Sequence, residues 1–257
     1  MPILDLNGKN IFVETSGEGP ALLFVHGLGG STTLYEAQAR ALASKRRVVR
    51  FDLEGHGRSA LSGGELSMAS FAADALAVLN ELGIASVDIV AHSMGTIPAQ
   101  HLAVHHRDRV GKIALLGPLR EQSPAAKEAT RARAATVREK GMEAVATAVA
   151  NGATSPTVQR ERPEILGFVR ELLLAQNPEG YARACEALAD AKAVDLSGVD
   201  APVLLLRGDD DKVSTKETVD AMRKELAHVE TGILEGCGHW TPIEAAARVT
   251  TALVKFF

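Results

Sequence analysis

The sequence predicts an α/β chain built on a mostly parallel, twisted sheet with an antiparallel N-terminal strand, helices on both faces and an inserted helical segment. Three observations carry this. Short apolar runs recur at 21–25, 48–51, 87–91 and 112–116, each long enough for a strand buried on both faces and too short for a helix. Stretches with helical spacing separate them, and strands that alternate with helices build parallel sheets covered on both sides. The rhythm stops after Gly117-Pro118 and resumes at 201–208.

Taken in order, the chain starts with strands at 3–6 and 10–15 joined by Asn7-Gly8, a pair suited to the positive φ angles of a hairpin turn. A helix follows the first central strand at 33–43. A stronger one covers 67–82, with Phe71, Ala75, Leu76, Val78, Leu79 and Leu82 at helical spacing and Gly83 as a stop. From 121 to 193 no strand-like run occurs. Ala, Glu and Arg dominate there, broken by Gly141, Gly152, Pro156, Pro163 and Pro178, which predicts a handful of short helices. Beyond them come a strand at 201–208, a helix at 216–226, a strand at 229–234 and a last helix at 242–257.

Composition bounds the function. With 257 residues, 46% hydrophobic and 23% charged, the chain supports one large core with an insertion and is not a disordered polymer. Its 28 Lys+Arg against 32 Asp+Glu leave a net charge of −4, so no cationic surplus serves a phosphate backbone, and no nucleic acid partner is expected. Cys185 and Cys237 make neither a disulfide framework nor a zinc ligand set, and the metal and cofactor expectation is none. No secretory leader and no bilayer-length apolar run are present, so no membrane partner is expected and the expected location is cytoplasmic. Only 4% of residues are aromatic (7 Phe, 2 Tyr, 1 Trp), so the core must be mainly aliphatic.

The chemistry-bearing residues cluster in a few loops. Val90-Ala91-His92-Ser93-Met94-Gly95 stands where a strand turns into a helix. Small residues at 91 and 95 suit a serine held at a tight turn, although a serine there could also simply cap the helix. His26-Gly27-Leu28-Gly29-Gly30 follows the first central strand, and Phe51-Asp52-Leu53-Glu54-Gly55-His56-Gly57-Arg58-Ser59 follows the next. In this order the three segments resemble the nucleophile elbow, the H-G-rich oxyanion loop and the D-x-x-G-x-G-x-S loop of the α/β-hydrolase family, with Ala91 in place of the first glycine of G-x-S-x-G. The resemblance implies the α/β-hydrolase fold, with a core at 1–118 and 195–257 and a helical cap at 119–194.

The resemblance further implies that an acid and a histidine follow the serine. Gly208-Asp209-Asp210-Asp211 and Gly236-Cys237-Gly238-His239-Trp240 match those positions. The family's G-x-x-D pattern puts the acid at Asp211, with Asp209 and Asp210 as alternatives. Ser93 is then the nucleophile, His239 the general base and acid, and Asp211 the group that orients it. Backbone N–H groups of Leu28 and Met94 form the oxyanion hole, and Gly27, His92 and Trp240 line the substrate pocket. Similarity to 3-oxoadipate enol-lactone hydrolases and small carboxylesterases implies a small-molecule carboxylic ester or lactone as substrate. Perhydrolases and hydrolases of carbon–carbon bonds share the triad, and a receptor of this fold retains it without turnover. Dehalogenases and epoxide hydrolases carry Asp at the elbow, against Ser93. No motif speaks to oligomeric state.

The other candidates have plainer readings. His26 and His56 tie loops together, and Asp52 fixes the loop beside the pocket. His101, His105 and His106 belong to a solvated helix without a third metal ligand. Cys237 is a packed thiol. The run Arg131, Arg133, Arg138, Glu139, Lys140 is the wet face of a helix, with Arg120 or Arg131 as a possible carboxylate clamp. Phe24, Phe51 and Phe71 belong to the core, whereas Trp240, Tyr35, Phe168 and Tyr181 lie nearer the site. Few rings remain for a substrate, which implies an aliphatic-walled pocket for small or flexible acyl groups.

Overall fold

Asn7 and Gly8 both take positive φ, 57° and 82°, and turn strand β1 (Ile3–Leu6) back on β2 (Lys9–Ser16) as the Asn-Gly pair predicts. These coordinates are a computed structural model that describes residues 3–257. Met1 and Pro2, the first two residues of the expected core, lie outside the described residues.

Strand β3 (Ala21–Val25) leads through a 3-10 turn at Thr32–Tyr35 into α1 (Glu36–Leu42). Then come β4 (Arg47–Phe51), α2 (Met68–Glu81), β5 (Val87–His92), α3 (Thr96–His105) and β6 (Val110–Leu116). Helix α2 starts at Ser67, whose side chain caps Ser70 N–H while the Ser70 side chain returns to the Ser67 N–H, so two orphan donors are satisfied at once. Five helices follow, α4 (Pro124–Lys140), α5 (Ala146–Ala153), α6 (Pro156–Glu161), α7 (Pro163–Leu174) and α8 (Pro178–Asp190). The chain then closes with β7 (Val203–Gly208), α9 (Lys216–Glu225), β8 (Val229–Leu234), α10 (Thr241–Glu244) and α11 (Ala246–Phe256).

Of the inserted helices α5 and α6 are short, as the glycine and proline punctuation predicts, whereas α4, α7 and α8 run longer. Pro156, Pro163 and Pro178 open helices rather than end them, each at the first turn, where a missing N–H costs nothing. Gly152 sits inside α5, and α4 runs 17 residues before Gly141 stops it. In the opposite sense, the expected last helix is broken in two at Ala245 (φ −123°, ψ 38°).

All eight strands form one sheet in the order β1-β2-β4-β3-β5-β6-β7-β8. The β1/β2 and β2/β4 pairs are antiparallel and the rest parallel. The period-two alternation divides the core. Leu23, Val25, Val49, Phe51, Ile89 and Ala91 pack towards α2, α3 and α9, whereas Leu22, Phe24, Val48, Val90 and Ala114 pack towards α1, α11 and the inserted helices. Phe24, Phe51 and Phe71 are fully buried, as the sequence predicts, and so is Tyr35. Tyr35 stacks at 4.8 Å on Phe24 and donates its hydroxyl to Val25 O at 2.8 Å, which makes it a core residue. Among the described residues no helix is long and apolar enough to cross a membrane. The parallel strands bring the loops after β3, β5 and β7 to one edge of the sheet, the place where open α/β sheets bind ligands.

Candidate active site

Ser93 follows β5 with φ 52°, a left-handed conformation that non-glycine residues rarely hold unless the surroundings impose it. The surroundings do so through close approach. A Cβ on Gly95 would run into the carbonyl oxygens of Val25 and His26, so the chain after the serine is pressed against the end of β3. Ala91, where the family pattern has glycine, is fully buried without such a clash.

The Ser93 hydroxyl donates to His239 Nε2 at 2.7 Å. On the far side of the ring, His239 Nδ1 donates to the Asp211 carboxylate, at 3.0 Å to Oδ1 and 2.9 Å to Oδ2. Asp211 Oδ1 also accepts the N–H groups of Val213 and Ser214, both at 2.8 Å. Burial opposes ionisation of this carboxyl, but the His239 ring and the two N–H groups outweigh it and hold its pKa below the usual carboxylate range. Of three consecutive aspartates only Asp211 is buried. Asp209 is exposed and accepts Asp210 N–H at 2.9 Å and Cys237 N–H at 3.1 Å, and Asp210 is exposed.

Gly27 faces the serine directly. A Cβ there would lie 2.6 Å from Ser93 Cβ and 3.2 Å from Ser93 Oγ. The turn is closed by Gly30 N–H donating to Gly27 O at 3.0 Å, and the Leu28 N–H is left without an acceptor in its loop. Met94 N–H belongs to the first turn after β5, where helix geometry supplies no partner. Both N–H groups therefore keep the capacity to meet an acceptor.

His92 and Trp240 lie beside His239. Both are buried. The His92 ring lies 5.1 Å from His239 and 5.7 Å from Trp240, and its Nε2–H donates to His239 O at 2.8 Å. Burial first, and then the nearby His239, push its pKa down to about 3, so this ring is a neutral strut under the His239 loop.

His26 and Asp52 act as the sequence predicts, whereas the His56 ring ties no second loop among the described residues and donates from Nδ1 to Glu54 O of its own loop at 3.2 Å. His26 Nδ1–H donates to Gly27 O at 2.8 Å while its Nε2 accepts Leu53 N–H at 2.9 Å, tying two loops together. Asp52 accepts Thr32 N–H at 2.6 Å and Arg58 N–H at 2.9 Å. Cys237 is fully buried and burial raises its thiol pKa. His101 and His105 stack at 5.8 Å, and no metal-holding group of side chains occurs among the described residues. His106 falls just past α3.

The charged residues of the insertion need correction. Arg120 pairs with Glu225 at 2.5 Å and Arg131 pairs with Asp190, so neither offers a free clamp. Arg133 is not on the wet face. It is half-buried, and its Nη1 donates to the Tyr181 hydroxyl at 3.4 Å. Tyr181 itself is fully buried, and Phe168 is 37% exposed.

Sequence reasoning missed the residues that hold these loops in place. Glu244, on α10, is buried and accepts three N–H groups: Ser155 at 2.8 Å, Gly238 at 2.9 Å and Trp240 at 2.9 Å. His239 N–H donates to Ala153 O at 2.8 Å, so the inserted helices grip the histidine loop. On the other side, Gln176 Nε2 donates to Gly29 O at 3.2 Å, and its Oε1 accepts Gly57 N–H at 3.3 Å. An acid in a first helical turn was the one available signal for Glu244.

The chain matches the family model described as alpha/beta hydrolase fold over residues 20–246. A 3-oxoadipate enol-lactonase of Acinetobacter baylyi is 30% identical over 84% of this chain and 80% of its own. Among solved structures, the enol-lactonase from Burkholderia xenovorans LB400 superposes with a TM-score of 0.92 at 28% identity, covering 99% of each chain. A thermophilic esterase from Thermogutta terrifontis gives 0.91 at 30% identity, covering 96% of this chain and 92% of its own.

Proposed function

The chain belongs to the α/β-hydrolase family, and on that premise we propose that it is a serine hydrolase of small carboxylic esters or lactones. The observation that carries this reading is the continuous hydrogen-bond chain from Ser93 Oγ through His239 to the buried Asp211 carboxylate. A serine hydroxyl is a weak nucleophile until a base takes its proton. His239 Nε2 accepts that proton as Ser93 Oγ bonds to the substrate carbonyl carbon, and Asp211 stabilises the imidazolium that results. The carbonyl oxygen becomes an oxyanion, held by the N–H groups of Leu28 and Met94. His239 then gives its proton to the departing alcohol oxygen, leaving an acyl group on Ser93. Water, deprotonated by His239, attacks that acyl carbon, and the proton returns to Ser93 as the acid leaves. No step calls on a metal or cofactor.

Enol-lactonases and an esterase among the relatives support this substrate class, which shares its three residues with carbon–carbon cleavage and perhydrolysis. In this reading residues 119–194 form the cap and the rest the core. Tyr181 and Gln176 of the cap bear on the oxyanion loop, and Ala153 and Ser155 bear on the histidine loop.

The test is multi-turnover release of p-nitrophenol from short acyl esters, together with ring opening of a set of lactones. Turnover is expected in the wild-type chain and should vanish in Ser93→Ala. Turnover that survives Ser93→Ala overturns the assignment. A wild-type chain that turns nothing over, yet melts markedly higher with one of these ligands, is a receptor instead.

A further inference from the structure

Three consecutive residues after β6 reach Ser93, Asp211 and His239 alike. Gly117 leaves the strand with φ 55°, and its N–H donates to Leu206 O on β7 at 2.7 Å. It packs against the histidine and the acid together, since a Cβ there would stand 3.1 Å from His239 Nδ1 and 3.3 Å from Asp211 Oδ2. Pro118 comes next, and its carbonyl accepts the Ser214 hydroxyl at 2.7 Å. The N–H of that same serine is one of the two that Asp211 Oδ1 accepts.

Leu119 completes the run on the nucleophile side. Its N–H donates to Thr96 Oγ1 at 2.9 Å, and Thr96 in turn donates its hydroxyl to Ser93 O at 2.6 Å. Gln100, one turn further along α3, donates to Leu119 O at 2.8 Å. Both Thr96 and Ser214 are fully buried, where removing one partner leaves the other unpaired. Ser93 needs this support, because its left-handed backbone persists only while the surroundings impose it.

We propose that residues 117–119 are a strap that aligns the site, and that Thr96 and Ser214 are positioning residues which register Ser93 and Asp211 to it. This rests on the serine-hydrolase reading and deepens it by naming what aligns the nucleophile with the acid. The two links lie in series. Thr96 fixes the serine turn to Leu119, the proline at 118 limits backbone rotation in between, and Ser214 fixes the acid loop to Pro118. Gly117 meanwhile leaves room for the ring that moves the proton.

The experiment is single-turnover release of p-nitrophenol from a short acyl ester, which separates the acylation rate from the half-saturating ester concentration. Thr96→Val keeps the volume and removes the hydroxyl, and Ser214→Ala cuts the bond to Pro118 while keeping the N–H that Asp211 accepts. Each should slow acylation by roughly ten- to a hundredfold, with the half-saturating concentration within about threefold. Thr96→Ser should recover most of the rate. The double variant should lose less than the product of the two single losses, because a series of links is broken by its first cut. A lower melting temperature with wild-type acylation means a folding role and overturns the proposal. So does a rise in the half-saturating concentration alone, or losses that multiply in the double variant. If Thr96→Val does not fold, Ser214→Ala decides by the same two readings. If the wild-type chain shows no acylation, the serine-hydrolase reading fails, and the strap is then judged from the proton resonance of His239 Nδ1–H. That signal should be sharp in the wild-type chain and broadened in Ser214→Ala, and an unchanged signal rejects the strap.

Discussion

Gly27 and Ser93 touch across the gap between the ends of β3 and β5, so closely that a Cβ on Gly27 would stand 2.6 Å from Ser93 Cβ. Real Cβ atoms do not approach one another this closely, so any larger residue at 27 must displace either the serine or the loop that presents the Leu28 N–H. Ser93 already occupies a left-handed conformation, with little freedom to yield.

Gly27→Ala therefore should abolish most ester turnover while leaving the fold intact, because on the proposed mechanism the displaced groups are the nucleophile and an oxyanion donor. Loss of one such donor alone costs about a hundred- to a thousandfold in kcat. The measurement is kcat beside a far-ultraviolet dichroism spectrum. Near-wild-type kcat would show that the loop relaxes freely.

The three aspartates after β7 separate by one experiment. Asp211→Asn should lower kcat by roughly a thousand- to ten-thousandfold, since the amide holds His239 in the wrong tautomer. Asp209→Asn and Asp210→Asn should leave kcat within about threefold, because both side chains are exposed and neither touches the ring. A collapse of activity in Asp210→Asn instead would reassign the acid.

What was legible in the sequence follows from what is local. The Asn7-Gly8 turn, the capped start of α2 at Ser67 and the strands β3 and β8 are each set by a few adjacent residues with one dominant physical preference, and each falls where the pattern puts it. The loops bearing Ser93, Asp211 and His239 were legible through motif resemblance. Contacts between distant segments were not. Glu244 with Ser155, and Gln176 with Gly29, join residues 89 and 147 positions apart, and no local spacing encodes them. Arg133 was misread because α4 looks uniformly charged in sequence, and only packing against α8 shows which side turns inward.

Acid should destabilise the fold before it titrates the carboxylates. His56 is buried, and burial, followed by the neighbouring His26, lowers its pKa from 6.5 to about 3, and His92 is likewise lowered to about 3. Below pH 6.5 the unfolded chain takes up protons that the folded chain refuses, so this contribution to stability is full above 6.5 and is lost as pH falls towards 3. Asp211, whose pKa is lowered in the fold, adds a loss of the same sign further down, whereas Glu244, raised by burial, works in the opposite direction. The melting temperature should therefore be flat near neutrality and fall steadily below about pH 6.5. His56→Leu should make that slope shallower, and an unchanged slope would exclude His56 as a contributor.

Glu244 offers the sharpest separation of catalysis from mere folding. Its carboxylate holds the N–H groups of Gly238 and Trp240 on either side of His239, and it reaches Ser155, the N-cap of α6. Replacing it strands buried donors, at about 1–3 kcal/mol for each one left unsatisfied. Glu244→Ala should thus be less stable by urea unfolding, by several kcal/mol. Glu244→Gln retains the volume and one acceptor oxygen but turns an amide donor towards N–H groups, so it should fold, with a smaller loss. The histidine loop is then free to drift, and a displacement of about 1 Å at a reacting group can cost around a hundredfold in rate. In Glu244→Gln, kcat should therefore fall by ten- to a hundredfold with KM nearly unchanged, because Glu244 holds the histidine loop and, among the described residues, makes no contact with the loop at Gly27. Lower stability with wild-type kcat would reduce Glu244 to a folding role, and a rise in KM alone would mean that the segment it grips shapes the pocket rather than the position of His239.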